Sequence, residues 1–494
     1  MQQLGFDNDK YVQMQSEKIR ERIEYFGGKL YLEFGGKLFD DYHASRVLPG
    51  FQPDSKVRML MQMKDVAEII IVISADDIER SKRRGDLGIT YDDDTLRLID
   101  AFKGCGLYVG SVVITHFRAQ RAAEKFQQRL EQLGVRVYRH YIIPDYPSDI
   151  PLIVSDDGFG RNDFIETSRS LVVVTAPGPG SGKMATCLSQ LYHEYKRGNK
   201  AGYAKFETFP IWNLPLKHPV NVAYEAATAD LDDVNMIDPF HLEAYGVTTV
   251  NYNRDVEIFP VLSAIMKNIM GESIYKSPTD MGVNMIGYCI ADDEVVCKAA
   301  KEEVIRRYYE AACNVKLGFG DKQVVHRIEL LMNSLDLTTD DRRVVRAALD
   351  KAAETGDTAA AIETEDGKIL TGKTSDLLGA CSAMLINAMK HLARIPDEIP
   401  LLSPAVIEPI QKLKVESLGN RNPRLRADEV LIALSICAAT NPMAKRALEQ
   451  LPKLRGLEAH SSVILNSTDA DTFKRLGVHM TQEPVTFSNK LYHK

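Results

Sequence analysis

Between Lys29 and about Asn268 the sequence alternates short apolar runs with stretches of helical period, and that alternation restricts the fold more than any other feature. The runs are Leu30-Tyr31-Leu32-Glu33-Phe34, Ile69-Ile70-Ile71-Val72-Ile73, Val109 to Ile114, Val135-Arg136-Val137-Tyr138 and Leu171-Val172-Val173-Val174. Most are continuously rather than alternately hydrophobic, as strands covered on both faces are. The reading is α/β, with a doubly wound, mostly parallel sheet over residues 1–270.

A chain of 494 residues is too long for one hydrophobic core, and about three domains are expected. Residues 271–355 read as a helical domain, because Val295 to Ala312, Lys322 to Leu335 and Asp340 to Ala353 carry apolar residues at helical spacing. Residues 356–494 read as a second α/β domain. It opens with a hairpin, Ala359 to Glu363 and Lys368 to Leu370, turned by Asp366-Gly367. A helix from about Ser375 to Ala393 follows, then a strand over Val430 to Cys437 and a helix from Pro442 to Leu451. Ser461 to Leu465 reads as a strand, Ala470 to Leu476 as a helix, and Val478 to Met480 as the last strand.

Charge removes one class of partner. With 61 Lys+Arg against 68 Asp+Glu the net charge is -7, which denies a polyanion its bulk attraction, so no nucleic-acid role is expected. The polar start, Met1 to Lys18, and the lack of any run of roughly 18 apolar residues argue against a signal peptide and a membrane span, and lead us to expect a cytoplasmic protein. Seven cysteines are scattered without a C-x-x-C pair, so neither a disulfide framework nor zinc is expected.

The run Leu171 to Thr175 leads into Ala176-Pro177-Gly178-Pro179-Gly180-Ser181-Gly182-Lys183, and Met184, Leu188, Leu191 and Tyr195 continue at helical spacing. Glycines between a strand and a helix let backbone N–H groups turn inward around a phosphate, with the helix dipole behind them. Gly178, Gly180, Ser181 and Gly182 are the candidate cradle. Lys183 is positioned to reach terminal phosphates and to act in catalysis. The pattern departs from the usual phosphate loop, which has Gly at 177 and Ser or Thr at 184 where this chain has Pro177 and Met184. Thr186 or an outside carboxylate would then have to supply the missing magnesium ligand.

Gly35, Gly36 and Lys37 also follow a strand, and Arg46 lies a little beyond. Together they form a second candidate anion clamp, which counts if it shares a sheet edge with the first. Residues 205–255 are rich in polar and aromatic side chains, among them Lys205, Glu207, Tyr224 and His241. From this stretch Asp230, Asp233 and His218 are the catalytic candidates, and Asp230 and Asp238 the magnesium candidates. A solvated acidic loop and structural histidines are the plainer alternatives.

Tyr31 to Phe51, Gly85 to Tyr91, Pro177 to Thr186, Thr208 to Tyr252 and Gly372 to Asn387 together resemble a bacterial family, the UPF0371 or DUF1846 proteins. The resemblance covers essentially the whole chain. It implies a phosphate-loop-like N-terminal region, a helical insertion and a C-terminal α/β region, and it brings no catalytic residues with it. The C-terminal order is similar to the cytidine-deaminase fold, as a fold analogy only: Ala380-Cys381-Ser382-Ala383 and Asn441-Pro442-Met443-Ala444-Lys445 lack the zinc ligands and the glutamate that deamination needs.

Three functions fit the sequence. One is an NTP-dependent enzyme transferring phosphoryl groups or ligating small anionic metabolites, with ATP and Mg²⁺. The second is an enzyme on a phosphorylated small molecule that uses no nucleotide. The third is a non-catalytic homo-oligomeric binding protein.

Overall fold

The computed structural model describes residues 4–39, 41–84, 87–272 and 274–486. Gly85, which opens one of the stretches carrying the family resemblance, lies outside them. Two compact units emerge, residues 3–300 and residues from Lys301 onward. The boundary falls within the Asp293–Leu317 helix, so the helices of 271–355 are divided between the units. No helix among the described residues is long and apolar enough to cross a membrane.

The first unit is built on strands β1 (Leu30–Phe34), β2 (Ala67–Ser74), β3 (Tyr108–Phe117), β4 (Arg136–Tyr141), β5 (Leu171–Thr175) and β6 (Gly202–Phe206). β7 (Asn235–Ile237) and β8 (Val250–Tyr252) form a separate antiparallel pair, and β9 (Gly282–Val283) adds to the main sheet. The sheet order is β4-β3-β2-β5-β1-β6-β9, with every neighbouring pair parallel. Every residue of β1, β2 and β5 is buried, the reason their sequences are mostly apolar, with Glu33 and Glu68 as buried exceptions. The sequence does not announce β6, Gly202-Tyr203-Ala204-Lys205-Phe206, because a lysine interrupts its apolar run.

The winding reverses between neighbours. From β2 the chain steps outward to β3 and β4, whereas from β5 it crosses β1 to reach β6. β2 and β5 are adjacent, so their carboxyl ends flank a topological switch point, where open α/β sheets bind ligands.

The second unit holds β10 (Ala359–Glu363), β11 (Ile369–Lys373), β12 (Glu458–Ser461) and β13 (His479–Gln482) in the order β11-β10-β12-β13. β10 is antiparallel to both neighbours, and β12 and β13 are parallel. Val430 to Cys437, expected as a strand, lies in a helix, Ala427–Ala438. Glu429 accepts the Arg426 N–H at 2.8 Å and so secures the helix start, and twelve residues is a helix length rather than a strand length. The next strand after that helical stretch is β12, followed by the helix Ser467–Leu476 and by β13.

Candidate functional site: the carboxyl edge of the parallel sheet

β5 ends at Thr175, and the helix Lys183–Lys196 begins at Gly182, whose φ of 89° is left-handed and which offers no side chain to cap the first N–H groups. A β-carbon there would also lie 3.1 Å from Thr115 Cγ2. Gly178 is needed for a different reason: its missing β-carbon would stand 2.2 Å from the Tyr91 hydroxyl, so Tyr91 packs on bare loop backbone. Ser181 is buried and braces the loop from inside. Its hydroxyl donates to Gly178 O at 2.8 Å, and its carbonyl accepts from Thr115 Oγ1 at 2.7 Å. Gly180 is exposed, and Lys183 is half-buried, its side chain making no hydrogen bond or ion pair among the described residues. The result is a rigid glycine turn, an uncapped helix N-terminus and a cation beside it.

Gly35 and Gly36 follow β1, the strand next to β5, at the same sheet edge. The Gly35 N–H donates to Phe206 O at 3.1 Å and prolongs the β1–β6 ladder. Lys37 is exposed, and Arg46 sits half-buried in the last turn of the Tyr42–Val47 helix.

On β6, next to β1, lies a group that the sequence reading mentioned without singling out. Lys205 is aligned with Glu33 across the sheet, and its Nζ is 3.0 Å from Glu207 Oε1 and 2.5 Å from the Tyr252 hydroxyl, with Asp255 also in contact. Burial alone would discharge the lysine, but Asp255, Tyr252 and Glu207 hold it charged. One cation then serves two carboxylates, Glu207 buried and Asp255 largely so. Glu207 takes up the imbalance: burial and the neighbouring Asp255 outweigh Lys205 and push its pKa up to about 8, so it keeps its proton at neutral pH. Tyr224, which feels both Lys205 and Glu207, stacks on Phe209 at 5.3 Å and forms an aromatic wall beside the pair. Lys205 and Asp255 are 50 residues apart, and no local pattern could have joined them.

Several expected residues have other work. Asp238 is fully buried and caps the helix Pro239–Tyr245, accepting from His241 N at 3.0 Å and from Thr279 Oγ1 and N at 2.6 and 3.2 Å, which leaves it unsuited to the magnesium role. Thr186 is buried and donates to Gly182 O at 2.9 Å, the bond of a helical threonine rather than of a metal ligand. Asp233 is buried and paired with Arg254 at 2.5 and 2.7 Å; burial nevertheless keeps its pKa raised. Asp230 is exposed on a 3₁₀ turn. His218 caps the helix Pro219–Ala227.

A glycine loop ahead of a helix and an acid–lysine group, both along one edge of a doubly wound parallel sheet, place this chain among the α/β proteins. Within that class the chain belongs to the UPF0371 family: residues 4–336 match "Domain of unknown function DUF1846, N-terminal" and residues 340–492 its C-terminal counterpart. It is similar to a UPF0371 protein of Corynebacterium urealyticum, 58% identical over 492 residues and 99% of both chains. UPF0371 proteins of Streptococcus thermophilus and Streptococcus sanguinis are 56% and 55% identical over 494 residues, covering all of both chains.

Proposed function

We propose that this protein is an enzyme acting on a phosphorylated small molecule, its phosphate held by the loop Gly178 to Lys183 and the group to be transformed reaching toward Lys205 and Glu207. The observation that carries the reading is Lys183, a half-buried cation without a hydrogen-bond or ion-pair partner among the described residues, beside a helix N-terminus whose N-cap, Gly182, offers no capping side chain. Backbone N–H groups and a helix dipole there favour an anion. β5 and β6 are separated by β1, so their carboxyl ends lie about 10 Å apart, the span of a small phosphorylated metabolite. Glu207, protonated at neutral pH, supplies a proton as general acid, while Lys205 stabilises negative charge that develops nearby.

A second reading is NTP-dependent phosphoryl transfer or ligation with ATP and Mg²⁺. The loop itself favours it, but Thr186 and Asp238 are engaged elsewhere, and Met184 offers no hydroxyl. Calorimetric titration with ATP, GTP and a panel of sugar and nucleoside phosphates, with and without Mg²⁺, separates the two. Mg²⁺-independent binding of a non-nucleotide phosphate supports the first, and Mg²⁺-dependent ATP binding the second. If no phosphate compound binds, both are wrong.

A further inference from the structure

A second group of chemically reactive side chains lies in the N-terminal unit and takes no part in the proposed reaction. His218 precedes the helix Pro219–Ala227, and Asp293 and Cys297 stand one turn apart at the start of the helix Asp293–Leu317, so four-residue spacing puts both on one helix face. His218 Nε2 is 3.0 Å from Asp293 Oδ1 and 3.5 Å from Cys297 Sγ, and Sγ is 3.6 Å from Asp293 Oδ2. One nitrogen, one oxygen and one sulfur thus converge within 4.8 Å of one another.

Those separations suit a tetrahedral ion. With bonds of about 2.0–2.3 Å to N, O and S, such an ion holds its ligand atoms about 3.3–3.6 Å apart. The His218–Cys297 separation falls in that range, and the Asp293 carboxylate lies within a few tenths of an ångström of it from both partners, through Oδ1 to Nε2 and through Oδ2 to Sγ, so the carboxylate turns to offer one oxygen to the ion. We propose that His218, Asp293 and Cys297 bind one divalent transition ion of zinc's class. The imidazole and thiolate select against Mg²⁺ and Ca²⁺, which prefer all-oxygen shells. The His218 ring is buried while the Asp293 side chain is 64% exposed, so the fourth position opens to water. Three protein ligands with one open position is the arrangement of reactive rather than closed structural zinc sites.

The protons can be followed. His218 Nδ1 accepts the Val220 N–H at 3.3 Å, so the metal-free neutral ring carries its proton on Nε2, toward Asp293. Binding moves that proton to Nδ1, gives up the long Val220 contact and releases the Cys297 thiol proton to solvent. Affinity therefore falls as pH falls. The absence of any C-x-x-C pair hid this site from the sequence, because its ligands lie 75 and 79 residues apart apart from the one helical pair.

The test is titration of the full-length, metal-stripped protein with Co²⁺ and Zn²⁺ alone. One equivalent of Co²⁺ should give a thiolate-to-cobalt charge-transfer band and the intense visible bands of a four-coordinate ion, and Zn²⁺ should displace it. Cys297→Ser should abolish the charge-transfer band, and Asp293→Asn should weaken binding roughly 10–100-fold or more. Both positions are partly or largely exposed, so neither change should unfold the chain. His218→Ala removes a helix cap as well and serves only as a third check. Absence of stoichiometric binding, or binding unchanged in Cys297→Ser and Asp293→Asn, would overturn the proposal.

Discussion

In the N-terminal unit one buried lysine, Lys205, faces two carboxylates, Glu207 and Asp255; in the C-terminal unit one carboxylate, Glu458, is held by two guanidiniums, Arg306 and Arg342, and by His479. Arg342 is fully buried and spends its remaining N–H groups on Thr481 Oγ1, Ala459 O, His479 O and Glu302, at 2.7–3.1 Å. Burial would raise the Glu458 pKa, but the two arginines hold it well below the usual carboxylate range. Glu207 is driven the other way. A buried network whose charges balance fixes architecture, whereas one with a carboxylate in excess stores a proton that chemistry can use.

The largest effect is expected at Arg342. Arg342→Ala leaves Glu458 and Glu302 short of a cation inside the C-terminal unit, and should cost about 3–5 kcal/mol in urea unfolding. A loss below about 1 kcal/mol would mean that the network does not hold the unit together.

A smaller effect is expected at the loop. Gly182→Ala places a side chain at a φ of 89°, against Thr115, and should cost about 1–2 kcal/mol of stability. It should also remove phosphate binding, because the added carbon stands where the backbone enters the helix. An unaltered melting temperature would show that the turn is not held in its left-handed form.

A sharper probe of the contrast lies in pH. Glu207 has a raised folded pKa, so its contribution is complete below about pH 4.5, its unfolded value, and is lost as pH rises toward about 8. Glu458 has a depressed pKa, so its contribution is present above about pH 4.5 and is lost as pH falls through the acid range. Between pH 5 and 8 the Glu207 share should therefore fall with rising pH, against the opposite trend of His140, whose pKa burial depresses, and Glu207→Gln should remove that falling share. Melting temperatures across this window decide the point; an identical slope in the variant would mean that Glu207 is not the proton's holder.

The parts of the fold that were legible were those specified locally. β1 and β5 read directly because strands buried on both faces are predominantly apolar, and the β10–β11 hairpin read because Asp366-Gly367 supplies its turn. Val430 to Cys437 misled because an apolar run suits a buried helix as well as a strand. The glycine loop was legible through its order of strand, glycines and helix. The acid–lysine group was not, since β6 contributes Lys205 and the helix Asn253–Met270 contributes Asp255. Asp238 misled for a related reason: a caged aspartate and a metal-binding one share a residue type, and only its partners, His241 N and Thr279, tell them apart.

The central claim, that the loop before Lys183 holds a phosphate, is tested most directly by titrating wild-type protein and Lys183→Ala with the phosphorylated ligand that binds best in the calorimetric panel. Among the described residues Lys183 makes no other hydrogen bond or ion pair, so the variant should keep its melting temperature. It should lose about 1.5–3 kcal/mol of binding free energy, the worth of a charge-assisted hydrogen bond, or roughly tenfold to somewhat over a hundredfold in affinity. Equal affinity of a folded Lys183→Ala for that ligand would contradict the account and leave the glycine loop as a structural turn.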